Sequence, residues 1–98
     1  MQLRPTGMRV LAISHITDDK KVFVFGGGVY EGDHIPGPEC AVQLTLPNPR
    51  IKLDNGKTVY GCECWWGDEA KLKKRYADCE FIELDIDEQR AKAKAAQH

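Results

Sequence analysis

The segment Arg50-Ile-Lys-Leu-Asp-Asn-Gly-Lys-Thr-Val-Tyr60 decides the fold of this chain. Asp-Asn-Gly is a strong turn signal because Asn and Gly tolerate the positive φ angles that tight hairpin turns require. The β-branched and apolar residues on either side of the turn favour strands. We therefore predict an antiparallel hairpin formed by Arg50–Leu53 and Thr58–Tyr60.

A second hairpin is predicted near the N-terminus. Residues 9–16 are rich in β-branched residues and end at the turn-forming cluster 17–20, and residues 21–25 return as a second strand. The triplet Gly26–Gly28 interrupts this strand. Consecutive glycines indicate a bulge or a place where another group approaches the backbone closely.

The segment between the two hairpins is less regular. Residues 29–32 can resume the strand, whereas residues 33–39 contain two prolines and predict an irregular loop. Residues 40–46 fit either a strand or a short helix, and the pattern does not decide between them.

The C-terminal third predicts two helices with a strand between them. Asp68–Tyr76 has acidic residues at its start and basic residues near its end, as the helix dipole favours. Residues 80–86 alternate between apolar and polar side chains and predict an edge strand. Residues 87–96 predict an alanine-rich helix with no large apolar side chain, and such a helix either frays or packs closely against a neighbour, such as a second copy of the chain.

These elements together predict one α+β domain over residues 8–98. Its core is an antiparallel β-sheet of about five to seven short strands, with two helices in the C-terminal third. The chain has 98 residues, of which 42% are hydrophobic and 30% charged, as is usual for a single globular core. Residues 1–7 precede a second methionine, Met8, and we treat them as a flexible arm or start-site residues.

Composition also limits the class of partner. The net charge of −1 gives no general attraction to a nucleic acid polymer or to a membrane surface. No apolar run approaches the roughly 18–20 residues that span a bilayer, and the N-terminus does not resemble a signal peptide. The four cysteines are therefore expected to stay reduced in the cytoplasm.

Two adjacent tryptophans, Trp65 and Trp66, lie at the predicted strand-to-helix junction. Successive residues of a strand face opposite sides, so one indole is expected in the core and the other at the surface, where it can stack on a nucleobase. The helix start that follows offers N–H groups to a phosphate. The alternative is that both indoles are core residues, and that Asp68 and Glu69 repel a phosphate at the helix start.

The cysteines do not form a recognisable metal or catalytic motif. Cys62 and Cys64 make one C-x-C pair, which would face one side of an extended strand, but structural zinc usually requires a second close pair. This second pair is not supplied by the other candidate ligands, Cys40, Cys79, His15 and His34. No base is placed to activate a cysteine nucleophile. We therefore predict no catalytic residue, no metal, no cofactor and no enzymatic activity. The alternative is an enzyme that uses Cys62 or Cys64, or a zinc-assisted hydrolase.

Basic side chains on both helices are candidates for contacting an anion. Lys71, Lys74 and Arg75 share the first helix, and Arg90 and Lys94 lie four residues apart on one face of the second. Arginine suits bidentate contact with phosphate. The alternative is that both faces are simply solvated.

Several segments resemble small bacteriophage proteins, namely residues 21–36, Asn48–Gly67 and Glu83–Arg90. The family that they resemble is the phage-encoded Thoeris anti-defence "sponge" proteins. The resemblance implies a β-sheet core with C-terminal helices that pair between subunits, in a homodimer or a larger homo-oligomer. It implies that the protein sequesters a cyclic ADP-ribose signal of the bacterial host's immune system without cleaving it.

The resemblance also implies ligand contacts from arginines of the last helix. Arg90, assisted by Lys94, is therefore the expected phosphate contact, with Arg75 and Lys71 as the rival pair and Trp65 or Trp66 as the stacking platform. Lys94 stands where a second arginine would be expected, which leaves the identity of the ligand open between cyclic ADP-ribose isomers and cyclic oligonucleotides. The alternative function is a small interaction protein that blocks a host protein by surface contact.

Overall fold

The computed structural model describes residues 6–40 and 43–96 of the chain. It contains six strands and two helices within those ranges. In chain order these are β1 Arg9–Thr17, β2 Lys21–His34, β3 Asn48–Leu53, β4 Thr58–Tyr60, β5 Trp65–Asp68, α1 Glu69–Arg75, β6 Glu80–Glu83 and α2 Ile86–Ala96.

One sheet contains all six strands, and its main path runs in the order β4-β3-β2-β1-β5. Neighbours along this path are antiparallel. The exception is β6, which lies parallel to the start of β2, from Lys21 opposite Glu80 to Val24 opposite Glu83. The second half of β2 pairs through the same edge with β3, from Gly28 opposite Leu53 to His34 opposite Asn48. The long strand β2 therefore organises the sheet.

The glycine triplet allows β2 to change neighbours. The pairing between β1 and β2 shifts register beside Gly26, whose φ of 127° is unfavourable for other residues. A Cβ on Gly27 would overlap the carboxylate of Glu69, and one on Gly28 would overlap the backbone of Lys52. Both interpretations of the triplet, a bulge and a close approach to the backbone, are confirmed.

The sheet carries a cluster of buried apolar residues on each face. The larger cluster lies under α2, whose Ile86 is only 2% exposed, and consists of Val10, Ala12, Phe25, Tyr30, Ile51, Leu53, Val59 and Ile86. The smaller cluster lies under α1 and consists of Leu11, Ile13, Val22, Val24 and Leu72. Each helix thus covers one face of the sheet.

Charged side chains hold α1 against its face. Arg9 donates to both carboxylate oxygens of Asp54 at 2.7 Å and to both of Glu69 at 3.2 Å. These bonds hold the pKa of Asp54 below its usual range. Asp68 caps the helix by accepting a hydrogen bond from the backbone N–H of Lys71 at 2.9 Å. The start of α1 is therefore fixed to the turn of the β3–β4 hairpin.

The predicted fold class is confirmed, as are the Asp54-Asn-Gly56 hairpin and a first helix ending near Tyr76. Two predicted boundaries are wrong. The β2 strand passes through the glycine triplet and continues to His34, so the irregular loop begins later than residue 33. The strand predicted over 80–86 ends at Glu83, because Ile86 already begins α2 and supplies the large apolar side chain that this helix was expected to lack.

Two further predictions concern the less regular segments. Residues 41 and 42 lie outside the described residues, and residues 43–46 form neither the strand nor the short helix considered for residues 40–46. The N–H of Gly7 donates to the carbonyl of Tyr30 at 2.7 Å, so contact with the sheet begins one residue before the predicted domain. Of the arm predicted over residues 1–7, residues 1–5 lie outside the described residues.

Candidate functional site

The two tryptophans separate onto opposite faces of the sheet. Trp66 lies opposite Ala12 and stacks on Tyr30 with the ring centroids 5.1 Å apart. Trp65 lies opposite Ile13 on the α1 face, where it is 47% exposed and meets Tyr76 edge-on at 6.5 Å. Strand alternation predicted this division, and the alternative in which both indoles are core residues is wrong.

A groove of about 320 Å³ lies between β5 and α1. We call it the tryptophan groove. Four of the six predicted ligand-binding residues line it, since it is formed by Trp65, Trp66, Gly67, Asp68, Lys71, Leu72 and Arg75. Arg90 and Lys94 lie on the other helix and are not part of it.

The tryptophan groove has two cations and one carboxylate. Lys71 and Arg75 are exposed and one helical turn apart, and Arg75 lies over the ring of Tyr76 at 5.4 Å. Within residues 6–40 and 43–96, neither side chain forms a salt bridge. Asp68 contributes the opposing charge, and its capping bond occupies the N–H group of Lys71. Any phosphate contact here depends on the two side chains, because α1 has only seven residues and its start is already capped.

Two residues of the groove were not singled out from the sequence. Gly67 is buried, and a Cβ at this position would press against the side chain of Leu72 at 3.2 Å. Leu72 is the buried residue of α1. The sequence signal was available, because a single leucine in a charged helix marks its inner face and thereby places residues 71 and 75 beside β5.

Arg90 occupies a different environment, in a buried ion pair. Its Nε and Nη2 atoms donate to the two carboxylate oxygens of Glu63 at 2.8 Å, and Nη2 also donates to the carbonyl of Thr58 at 2.8 Å. The side chains of Arg90 and Glu63 are only 8% and 9% exposed. The bonds to Glu63 raise the pKa of Arg90. Two of the three guanidinium nitrogens thus donate hydrogen bonds to structural partners, and the third, Nη1, lies 3.9 Å from a carboxylate oxygen of Asp87.

The same ion pair caps the free edge of β4. Alternate residues of this strand face β3, since Lys57 and Gly61 bond to Leu53 and Pro49. Thr58 and Tyr60 therefore present their backbone groups outward. Arg90 bonds the carbonyl of Thr58, and Glu63 accepts from the N–H of Tyr60 at 3.1 Å. Side chains thus occupy an edge that would otherwise be open to another strand.

A smaller cavity, of about 200 Å³, lies beside this ion pair. Its walls are mostly apolar and are formed by Phe25, Cys62, Glu63, Ile86, Gln89, Arg90 and Ala93. Lys94 is exposed on the last turns of α2 and is not among these residues. The ligand-binding role of Arg90 and Lys94 stays a prediction.

The cysteines do not lie in the extended strand assumed for them. Cys62 and Glu63 occupy a turn, with Cys62 exposed. Cys64 packs against the larger core cluster, and burial raises the pKa of its thiol to about 12. In the part of the chain that the structure describes, no group of three or more His, Cys, Asp or Glu residues is placed to hold a metal ion. No helix within that part is long and apolar enough to cross a membrane.

Comparisons with family models, with curated proteins and with solved structures give no match for this chain.

Proposed function

We propose that this chain is a binding protein that holds a nucleotide-derived anion in the tryptophan groove without cleaving it. The observation that carries the proposal is the position of Trp65, whose half-exposed indole borders a groove that also contains Lys71 and Arg75. An indole face stacks on any nucleobase, and the two cations complement a phosphate.

The charges of the groove favour an anionic ligand. Lys71 and Arg75 outweigh Asp68 by one unit, and neither cation must leave a carboxylate partner in order to bind a ligand. Arg90 would have to break its bonds to Glu63 and Thr58 to do the same. The geometry therefore supports the α1 pair over the α2 pair as the phosphate contact.

The volume of the groove limits how much of a ligand one chain encloses. About 320 Å³ is at the lower end of the range for small-molecule sites, which suits one base with part of its phosphate. A larger ligand, such as a cyclic ADP-ribose isomer, then needs a second copy of the chain to enclose the rest. The proposal therefore includes a homo-oligomer. As the resemblance to the sponge family implies, this homo-oligomer would sequester an immune signal in the cytoplasm of a phage-infected bacterium.

The experiment combines binding with recovery of the ligand. The protein is incubated with cyclic ADP-ribose isomers and with cyclic oligonucleotides, separated from unbound compound and heated, and the released compound is analysed by mass spectrometry. Release of intact ligand is expected. Release of a cleaved or altered ligand would contradict the proposal and indicate an enzyme.

A variant series ties binding to the groove. Trp65→Ala is expected to weaken binding by about 1–3 kcal/mol, because it removes the stacking platform. Lys74→Ala is the control and should leave binding unchanged, because Lys74 lies on the adjoining helix but not among the groove residues. Equal binding by the wild-type protein and Trp65→Ala would refute the groove as the site.

The alternative is a protein that blocks a host protein by surface contact through the Trp-Trp and Gly-Gly-Gly segments. The exposed indole of Trp65 is compatible with such a surface. The glycine triplet is less so, because it lies within β2 and Gly28 is buried beside β3. Failure of every nucleotide probe to bind would favour this alternative.

A further inference from the structure

Cys40 and Cys62 lie side by side although they are far apart in the sequence. Their Sγ atoms are 3.9 Å apart. A disulfide requires about 2.0 Å between sulfurs, so an approach of roughly 2 Å would close the bond. Cys40 lies in the segment between β2 and β3, and Cys62 lies in the turn between β4 and β5. Neither residue belongs to a strand or a helix, and the approach therefore breaks no sheet pairing.

The two thiols differ in their access to solvent. Cys62 is exposed, whereas the neighbouring Cys40 is only 1% exposed. A dissolved oxidant therefore meets Cys62 first. An accessible thiol beside a buried second thiol is the arrangement of a reactive and a resolving cysteine.

The geometry points to a reversible disulfide site at Cys40 and Cys62, with hydrogen peroxide as the class of oxidant. The Cys62 thiolate attacks one peroxide oxygen and forms a sulfenic acid, and the other oxygen leaves as hydroxide. The Cys40 thiolate then attacks the Cys62 sulfur and displaces a second hydroxide. Two thiols and one peroxide thus give one disulfide and two waters, with sulfur oxidised and oxygen reduced.

Cys64 is the obvious competitor for Cys62, since only Glu63 separates them. Its thiol donates to the carbonyl of Tyr60 at 3.6 Å and packs against the core. The Sγ atom of Cys62 instead lies 3.9 Å from that of Cys40. Cys40 is therefore the expected partner.

Closing this bond ties the segment after β2 to the turn that carries Glu63. The cross-link spans a 22-residue separation, which restricts the unfolded chain. Since Glu63 holds Arg90, the cross-link also secures the contact between the turn and α2. Oxidation should raise the unfolding temperature by about 5 °C or more, and reduction by a dithiol should reverse the rise.

The test treats the purified, reduced protein with a small excess of hydrogen peroxide and measures its intact mass. A monomer lighter by two hydrogens is expected. Cleavage after Glu63 separates Cys62 from Cys64, so peptide mapping then identifies the partner. A Cys40–Cys62 cross-linked peptide supports the site, whereas a Cys62–Cys64 bond, an intermolecular disulfide or a singly oxidised Cys62 would overturn it.

Variants give a second measurement. Cys62→Ser, at an exposed position, should fold normally and lose both the mass change and the rise in unfolding temperature. Cys64→Ser is the matched control and should keep both. Loss of the mass change in Cys64→Ser, or its retention in Cys62→Ser, would also overturn the assignment.

Discussion

The two helices carry similar basic side chains and use them differently. On α1, Lys71 and Arg75 are exposed beside Trp65 and form no salt bridge within the described residues. On α2, Arg90 is buried, bonds Glu63 in a bidentate pair and caps the edge of β4. The same residue type is thus available to a ligand on one helix and committed to the fold on the other.

The reason lies in what each helix covers. The apolar contact of α1 comes from Leu72, and its anchor is the carboxylate of Glu69, so the basic residues of this helix stay at the surface. The α2 helix has only Ile86 as a large buried apolar residue, and Arg90 supplies the rest of its attachment. A helix poor in apolar side chains therefore depends on a polar contact for its position.

The largest effect is expected from Arg90→Ala. This change leaves the Glu63 carboxylate buried without its cation and removes the bond to the Thr58 carbonyl. Breaking a buried pair in this way costs about 3–5 kcal/mol of unfolding free energy, which thermal or urea denaturation measures. Lys94→Ala on the exposed part of α2 is the control, with an expected change within about 0.5 kcal/mol. Equal stability of the two variants would show that Arg90 contributes no more to the fold than an exposed basic residue does.

The next largest effect on stability distinguishes Trp66 from Trp65. Trp66→Ala removes the ring stacked on Tyr30 and packed against the larger core cluster, and should cost about 2–4 kcal/mol of stability. Trp65→Ala removes a half-exposed ring and should cost less than about 1.5 kcal/mol, while it weakens ligand binding. Urea denaturation of both variants checks this. Similar losses of stability in the two variants would argue against a stacking role for Trp65.

A binding comparison tests the two basic helices directly. Arg75→Ala should weaken capture of the proposed nucleotide ligand by about 1–2 kcal/mol, and Arg75→Lys should restore only part of it because lysine lacks the planar fork of donors. Glu88→Gln on α2 changes one exposed charge far from the groove residues and should leave the Kd unchanged. Calorimetric titration gives the Kd values. Normal binding by Arg75→Ala would favour the α2 pair predicted from the sequence.

The smallest effect concerns the anchor of α1 and its dependence on pH. The bonds from Arg9 hold the pKa of Asp54 below its usual range, so the charged form is favoured in the folded state. This contribution is present above the pKa of the unfolded chain, about 4, and is lost as the pH falls through the lowered value. Asp54→Asn should therefore flatten the dependence of the unfolding temperature on pH below about pH 5. If Asp54→Asn left the pH dependence of the unfolding temperature unchanged below about pH 5, the bond between Arg9 and Asp54 would not contribute to stability.

Local patterns predicted the fold because its elements follow local rules. The Asp54-Asn-Gly56 turn, the capping residue Asp68 and the alternation at Trp65 and Trp66 each depend on near neighbours in the sequence. The partner of Arg90 could not be predicted in this way. Glu63 lies 27 residues away, and its position depends on how α2 packs on the sheet. The groove was partly predictable, because its residues come from one contiguous segment.

The position of β2 has a consequence for how the chain reaches its fold. Its first residues, Lys21–Val24, pair with β1 on one side and with Glu80–Glu83, much later in the chain, on the other. During synthesis that edge stays open until most of the chain has left the ribosome, and parallel pairing between such distant segments forms slowly. A chain truncated before Glu80 would thus expose an apolar strand edge containing Val22 and Val24, which is a site for misassembly.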